Sequence, residues 1–470
     1  MRKLSLFILF ISMFGLPIWA TDWWVTTVDT TYYNGVYGTS IALDTLGMPH
    51  IAYCRYAGGG LVYASFNPED STWSYELVFD SAGVGSKIAG NAPSLAFDSR
   101  GYPHISFWWG DLGYAWKDSL GWHTTYPYPG PWIQGTSIRL DKYDYPHIGY
   151  ACDISRDSSV VMYTFLDEGG WHTEVVDTGG PIGMGFVSLT LDSAQHPHLS
   201  YGLGYPPQGL GYAKRGDEGW DIEVIDTSAW VGYTSIALDS LGRPHITYSD
   251  AYRDSTGEWT RDLKYAVRET TGWKMEKVDI GGGGDRNCLC LDENDSPHIS
   301  YKGTDCWLKY AWKWDGVWHI EKIDSIMGEG GAEASYTGLV IDRDGRAHIS
   351  YNVQFRVDTG YVINTKYATG YPEARIEIGS EDFDGILFKV YPTIGQRRVQ
   401  IEYVLKGRNE VNLCIYNIVG QKVIELADEI KSPGRYTEYW DTQTIKSGIY
   451  FCCLRTGDES FITKKVIIIK

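Results

Sequence analysis

The chain has 470 residues, with 41 Lys and Arg against 59 Asp and Glu, for a net charge of −18. That balance excludes a nucleic-acid partner, which needs a basic footprint, and leaves glycans, proteins and divalent cations open. Past the first 20 residues no apolar stretch approaches the roughly 20 residues of a membrane-spanning helix, so the mature chain is read as soluble, not membrane-spanning.

Arg2 and Lys3 precede an apolar run, Leu4 to Trp19, that ends at Ala20. This is the pattern of a secretory signal peptide over residues 1–20, although Ile18 stands where a small residue is usual. A strand follows, Trp23-Trp24-Val25-Thr26-Thr27-Val28-Asp29. Then a signature begins to recur, an Asp followed six positions later by a His. The copies are Asp44 and His50, Asp98 and His104, Asp141 and His147, Asp192 and His198, Asp239 and His245, Asp292 and His298, and Asp342 and His348. Pro precedes the His in all but the last, which has Ala347. The period of about 50 residues is that of a repeat array.

An apolar strand lies before each Asp, as in Ser40-Ile41-Ala42-Leu43, and another follows each His, as in Ile51-Ala52-Tyr53. The turn between them carries Gly47, Gly101, Asp144, Gln195, Gly242, Asp295 or Gly345, mostly residues that tolerate positive φ. A third strand (Leu263-Lys264-Tyr265-Ala266) and a fourth running from Trp to Asp (Trp171 to Asp177) complete the unit. Four strands per unit and seven units predict an all-β protein, a seven-bladed β-propeller over residues 21–370. The seventh unit lacks its Trp strand, and the spacing of Trp23 to Asp29 equals that of Trp171 to Asp177. The N-terminal strand is therefore expected to complete the last blade and close the ring. Residues 371–380 read as a linker and 381–470 as a second, small β domain.

Seven equivalent Asp–His pairs cannot all be one active site. An Asp closing a turn through local backbone N–H groups, with a His at the start of the next strand, is turn chemistry. His123, His172 and His319 each follow the Trp of a fourth strand, and His196 neighbours a repeat His. No catalytic residue, metal site or cofactor is assigned. Calcium is a weaker alternative, at Asp342-Arg343-Asp344-Gly345 or Asp292-Glu293-Asn294-Asp295, neither of which completes an EF-hand loop. The eight Cys lack zinc-site spacing and read as mostly buried thiols or an incidental disulfide.

The repeat resembles the sialidase-like, BNR-repeat propellers in blade rhythm. It lacks their intact Asp-box, keeping only shorter forms such as Asp118-Ser119-Leu120-Gly121-Trp122, and lacks the Arg-Ile-Pro segment of true sialidases. The tail resembles the C-terminal sorting domain of type IX (Por) secretion cargo, an immunoglobulin-like sandwich. The matching residues include Val390-Tyr391-Pro392, Ile415-Tyr416-Asn417-Ile418-Val419-Gly420, Trp440-Asp441, Ser447-Gly448-Ile449-Tyr450 and the closing Lys464 to Lys470. It departs at Thr393-Ile394, where Asn-Pro is usual. The resemblance implies that residues 381–470 engage outer-membrane secretion machinery, and that the protein passes the periplasm of a Gram-negative-type bacterium to become secreted or surface-held.

A ligand is expected on the rim formed by the variable loops, because variable loops on a rigid frame carry binding. The candidates there are Trp108, Trp109, Trp132, Trp230, Tyr252, Arg55 and Arg253. Two readings remain open. One is a non-enzymatic propeller binding an extracellular glycan or protein. The other is a glycan-cleaving enzyme, a glycoside hydrolase or sialidase-like, using rim carboxylates such as Asp111, Asp153 or Asp250.

Overall fold

The computed structural model describes residues 23–32, 38–55, 60–79, 91–130, 133–155, 158–178, 187–204, 209–227, 230–314, 316–326, 333–343, 345–357, 360–370, 387–391, 394–395, 398–405, 407–417, 421–446, 448–457 and 460–468. The expected signal peptide, the linker and Trp132 lie outside these residues. All regular structure among the described residues is strand. The chain divides into two compact units, Met1–Glu373 and Ala374–Lys470.

Among its described residues the first unit holds seven antiparallel sheets of four strands, here called sheets 1 to 7, with strands a to d in each. Sheets 1 to 6 span residues 39–79, 91–128, 133–177, 188–226, 231–279 and 283–325. Sheet 7 takes strands a to c from 333–370, and its fourth strand is Trp24–Tyr32. That strand pairs antiparallel with Gly360–Gly370, setting Trp24 opposite Thr369 and Thr26 opposite Tyr367. Each strand a lies against strand a of the next sheet, and Glu333–Ile341 of sheet 7 lies against Thr39–Leu43 of sheet 1. Repeated four-stranded sheets in this order are the arrangement of a propeller.

The a–b turn explains the repeat. The Asp44 carboxylate accepts the N–H groups of Leu46 and Met48, both at 2.8 Å, while its own N–H donates to the Met48 carbonyl. The residue that must turn left-handed has φ of 79° at Gly47, 83° at Gly101, 74° at Gly242 and 79° at Gly345. Where it is not Gly, φ is still positive, 68° at Asp144, 72° at Gln195 and 60° at Asp295. Those three side chains reach back to the preceding sheet's turn and accept the N–H of Ser99 (2.8 Å), Lys142 (3.0 Å) and Ser240 (2.9 Å). The gained bond offsets the local backbone strain.

The b strands are covered on both faces, with burial unbroken along Pro197–Leu203, which explains their continuous apolar content rather than clean alternation. Tyr53, Tyr150, Tyr201, Tyr248, Tyr301 and Tyr351 of the b strands are fully buried. At the a strands, the Ser hydroxyl of one sheet accepts a backbone N–H of the next: Leu95 to Ser40, Ile138 to Ser94, Leu189 to Ser137, Ile236 to Ser188 and Leu289 to Ser235, at 3.0–3.1 Å.

The second unit has a three-stranded sheet, with strands Leu387–Tyr391, Arg398–Leu405 and Gly434–Asp441, and a five-stranded one. The five are Ile394–Gly395, Ser460–Ile468, Gly448–Thr456, Asn409–Asn417 and Lys422–Lys431. Val399, Ile401, Tyr403 and Leu405 alternate inward from one sheet onto Leu413, Ile415, Cys452 and Leu454 of the other, around the buried Trp440.

Candidate functional site

Most of the side chains that invite a catalytic reading are bound to one another in seven copies. Each repeat His sets Nδ1 on the phenol of a strand-c Tyr: His50 on Tyr63, His104 on Tyr114, His147 on Tyr163, His198 on Tyr212, His245 on Tyr265, His298 on Tyr310 and His348 on Tyr367. Nε2 faces the repeat Asp. The contact is a hydrogen bond at His198 (3.4 Å), His245 (3.3 Å) and His348 (3.1 Å). At His50, His104, His147 and His298, 3.3–3.9 Å from their Asp, the ring nitrogen lacks hydrogen-bond geometry and the attraction is electrostatic. Burial lowers the pKa of His50, His104, His147, His198 and His245, against the pull of their Asp, and takes His198 to about 4. These rings are neutral at pH 7, and the tautomer that serves both partners carries its proton on Nε2.

Two further sets of polar groups join neighbouring sheets. The Asp at or near the end of strand d accepts the hydroxyl of the next sheet's strand-b Tyr: Asp29 from Tyr53, Asp177 from Tyr201, Asp226 from Tyr248, Asp279 from Tyr301 and Asp324 from Tyr351, at 2.6–2.9 Å. Lys264, Lys309 and Lys366 pair with three of these carboxylates. In sheet 4 the Lys position is Gly211, where a Cβ would come within 2.4 Å of the Tyr201 ring. Farther out, Glu76, Glu174, Glu223 and Glu276 accept the indole N–H of Trp122, Trp220, Trp273 and Trp318 at 2.9–3.0 Å. Each also pairs with the cation of Lys117, Arg215, Arg268 or Lys313.

Arg55, expected on the ligand rim, belongs to this framework: its Nε lies 2.7 Å from Asp29, which also holds Tyr53. Trp108 is half-buried against the cluster around Ile138 and Tyr150. Trp109 is 8% exposed and meets Phe79 edge-on at 5.2 Å. Of the other three described candidates, Trp230 and Arg253 come together on Trp259 at one end of sheet 5, while the Tyr252 hydroxyl bonds Asp262.

Sheet 5 has a long b–c hairpin, Pro244–Arg253 and Trp259–Glu269. Asp254 fixes its tip as the repeat Asp fixes its own turn, accepting the N–H groups of Thr256 (2.8 Å) and Glu258 (3.1 Å), with Gly257 at φ 88°. Across the tip, Trp259 packs edge-to-face on Trp230, centroids 5.0 Å apart at 77°, with each residue 49% exposed. Arg253 lies 4.7 Å over the Trp259 ring and donates to the Gly257 carbonyl at 2.7 Å. Among the described residues, no carboxylate lies within ion-pairing distance of this guanidinium. Trp230 is pinned by its backbone, which donates to Asp250 and accepts from Ala251, both at 3.1 Å. Arg286, at φ 56°, sets its guanidinium 5.5 Å over Tyr233, and Arg261 pairs with Asp285 at 3.0 Å.

The carboxylates weighed for catalysis, Asp111, Asp153 and Asp250, belong to sheets 2, 3 and 5. Within sheet 5, Asp250 stands directly opposite Asp262 across strands b and c. Both are committed: Asp250 to Lys264 (2.6 Å) and the Trp230 N–H, Asp262 to Lys277 (2.9 Å), Gly281 N–H (2.7 Å) and the Tyr252 hydroxyl (2.9 Å). Burial acts to raise the Asp262 pKa, and these donors outweigh it, holding the carboxyl below its ordinary value. A carboxyl held below its ordinary range is a poor general acid near neutral pH. No cluster of three or more His, Cys, Asp or Glu suited to a metal occurs among the described residues. Asp295, half of a weighed calcium loop, spends its carboxylate on Ser240.

Residues 389–469 match the family described as "Secretion system C-terminal sorting domain". No curated protein matches the chain. Similar solved structures include a protein of unknown function from Dyadobacter fermentans, at 12% identity over 74% of this chain and 99% of that one, TM-score 0.44. The polysaccharide lyase Uly1 is similar at 10% identity over 72% of this chain and 91% of its own, TM-score 0.47. The Aleuria aurantia lectin in complex with α-methyl-L-fucoside is similar at 12% identity over 64% and 99%, TM-score 0.41. The sorting domain places the protein among cargo that the type IX machinery secretes or sets on the cell surface. No helix among the described residues is long and apolar enough to cross a membrane.

Proposed function

We propose that this protein is a secreted, closed seven-bladed propeller that binds a glycan at the rim of sheet 5 without cleaving it, delivered by an immunoglobulin-like sorting domain. One observation carries the ligand reading: two half-exposed indoles and a guanidinium with no carboxylate partner among the described residues are held together on a backbone fixed by Asp250 and Asp254. Flat aromatic faces take the apolar faces of sugar rings, and a cation beside them takes hydroxyl or carboxylate oxygens. The rest of the framework's polar chemistry supports the same reading, because it is spent on fixing turns within each sheet and joining one sheet to the next.

The opposition of Asp250 and Asp262 favours a second reading, a glycan-cleaving enzyme. Such an enzyme places two carboxyls about 5–10 Å apart across the scissile bond and keeps one of them protonated. The Lys partners of this pair favour its ionised form, and with Asp250 8% and Asp262 0% exposed a substrate has little access to it; both weigh against this reading. The test is a glycan array probed with the purified chain, followed by incubation of each bound glycan with the protein. Binding without new reducing or unsaturated ends is the expected result. Turnover lost in Asp262→Asn would replace this reading with the enzymatic one, and an array silent for the wild type would remove the glycan ligand.

A further inference from the structure

Cys414 and Cys453 sit directly opposite each other on neighbouring antiparallel strands of the C-terminal domain, Asn409–Asn417 and Gly448–Thr456. Opposed residues of an antiparallel pair have Cα atoms about 4.5–5.5 Å apart and side chains on one face. A disulfide spans Cα separations of about 4.4–6.8 Å. The other cysteines are less well placed. Cys288 and Cys290 share one strand two positions apart, Cys452 faces the core with Ile415 opposite it, and Cys54, Cys152 and Cys306 lie in sheets 1, 3 and 6. A chain carrying a secretion sorting domain leaves the reducing cytosol, and disulfides persist in the compartments it enters.

We propose that Cys414 and Cys453 are oxidised to a cross-strand disulfide during export. The two thiols pass their hydrogens to the disulfide of a thiol oxidase of the export compartment. One S–S bond forms in this chain, one breaks in the oxidant, and the oxidant leaves as a dithiol. The new bond ties the central strand of the five-stranded sheet to its neighbour before the secretion machinery meets the domain.

The test uses the full chain isolated from an oxidising compartment, denatured with a thiol alkylator present, and compared with a reduced sample. Two fewer alkylated thiols before reduction, and a tryptic species joining the peptide of Cys414 to that of Cys452 and Cys453, are expected. Cys452→Ser should retain that species and Cys453→Ser should lose it. Reduction should also lower the melting midpoint of the C-terminal unit by roughly 10 °C or more. Full alkylation before reduction, or a link that survives Cys453→Ser, overturns the proposal.

Discussion

Replacing Asp239 separates a structural repeat from a functional one. Its side chain is fully shielded, and its carboxylate accepts the N–H groups of Leu241 (3.0 Å) and Arg243 (2.7 Å), the Arg243 Nε (2.6 Å) and His245 Nε2 (3.3 Å). Asp239→Ala leaves two backbone donors and a cation without their acceptor. Each of the two backbone bonds to this charged group contributes about 1.5–3 kcal/mol, while the Arg243 side chain, 45% exposed, regains water and its ion pair adds about 1 kcal/mol or less, so a loss of about 4 kcal/mol is expected. Asp239→Asn keeps the acceptor for the backbone and turns an amide toward Arg243 and His245, for about 2 kcal/mol. Asp44→Ala should cost less than Asp239→Ala, because that carboxylate is 22% exposed and no Arg pairs with it. Urea unfolding followed by tryptophan emission measures the first unit almost alone, since Trp440 is the only Trp after residue 370. A change within about 0.5 kcal/mol for Asp239→Ala, the range of an inert surface substitution, would refute the structural role of the repeat.

Other expectations follow from the same network. His198 has a folded-state value of about 4 against 6.5 unfolded. Its burial as a neutral ring therefore contributes stability that is fully present above pH 6.5 and lost as pH falls from 6.5 to about 4, where only the unfolded chain takes up the proton. The amount is of order 3 kcal/mol, and His198→Gln should flatten that part of the stability–pH curve. Glu223→Ala, which strands the Trp273 indole and Arg268 between sheets 4 and 5, should lower stability by about 1–2 kcal/mol in the same assay. Deleting residues 381–470 should leave the first unit folded and held in the periplasm, read by fractionation; unchanged release of the truncated chain would contradict the sorting role.

What the sequence made legible was local. The six-residue Asp-to-His spacing is the span of one hairpin turn, and the turn position shows positive φ even where it is Asp or Gln. What stayed hidden lies across sheets, between residues far apart in the chain. Asp29 ends a strand in the sequence, and only folding brings it to Tyr53 and Arg55. For that reason Arg55 read as a free rim cation. Glu223 accepts from Trp273, 50 positions later and on the next sheet, a pairing no local pattern carries. At the rim, Trp230, Tyr252 and Arg253 were visible as loop-end residues. The meeting of Trp230 and Arg253 with Trp259 depends on the length of the sheet 5 hairpin, which the variable spacing between strands b and c does not disclose.

The most direct measurement of the ligand claim is titration calorimetry of an array-positive glycan against the wild type, Trp230→Ala, Trp259→Ala and Arg253→Ala, with Trp108→Ala as the control from another sheet. Loss of about 30-fold or more in affinity for either sheet 5 Trp variant, the scale of removing an aromatic anchor of about 2 kcal/mol, with Trp108→Ala near wild type, is predicted. Undiminished binding by both Trp230→Ala and Trp259→Ala in folded protein would contradict it.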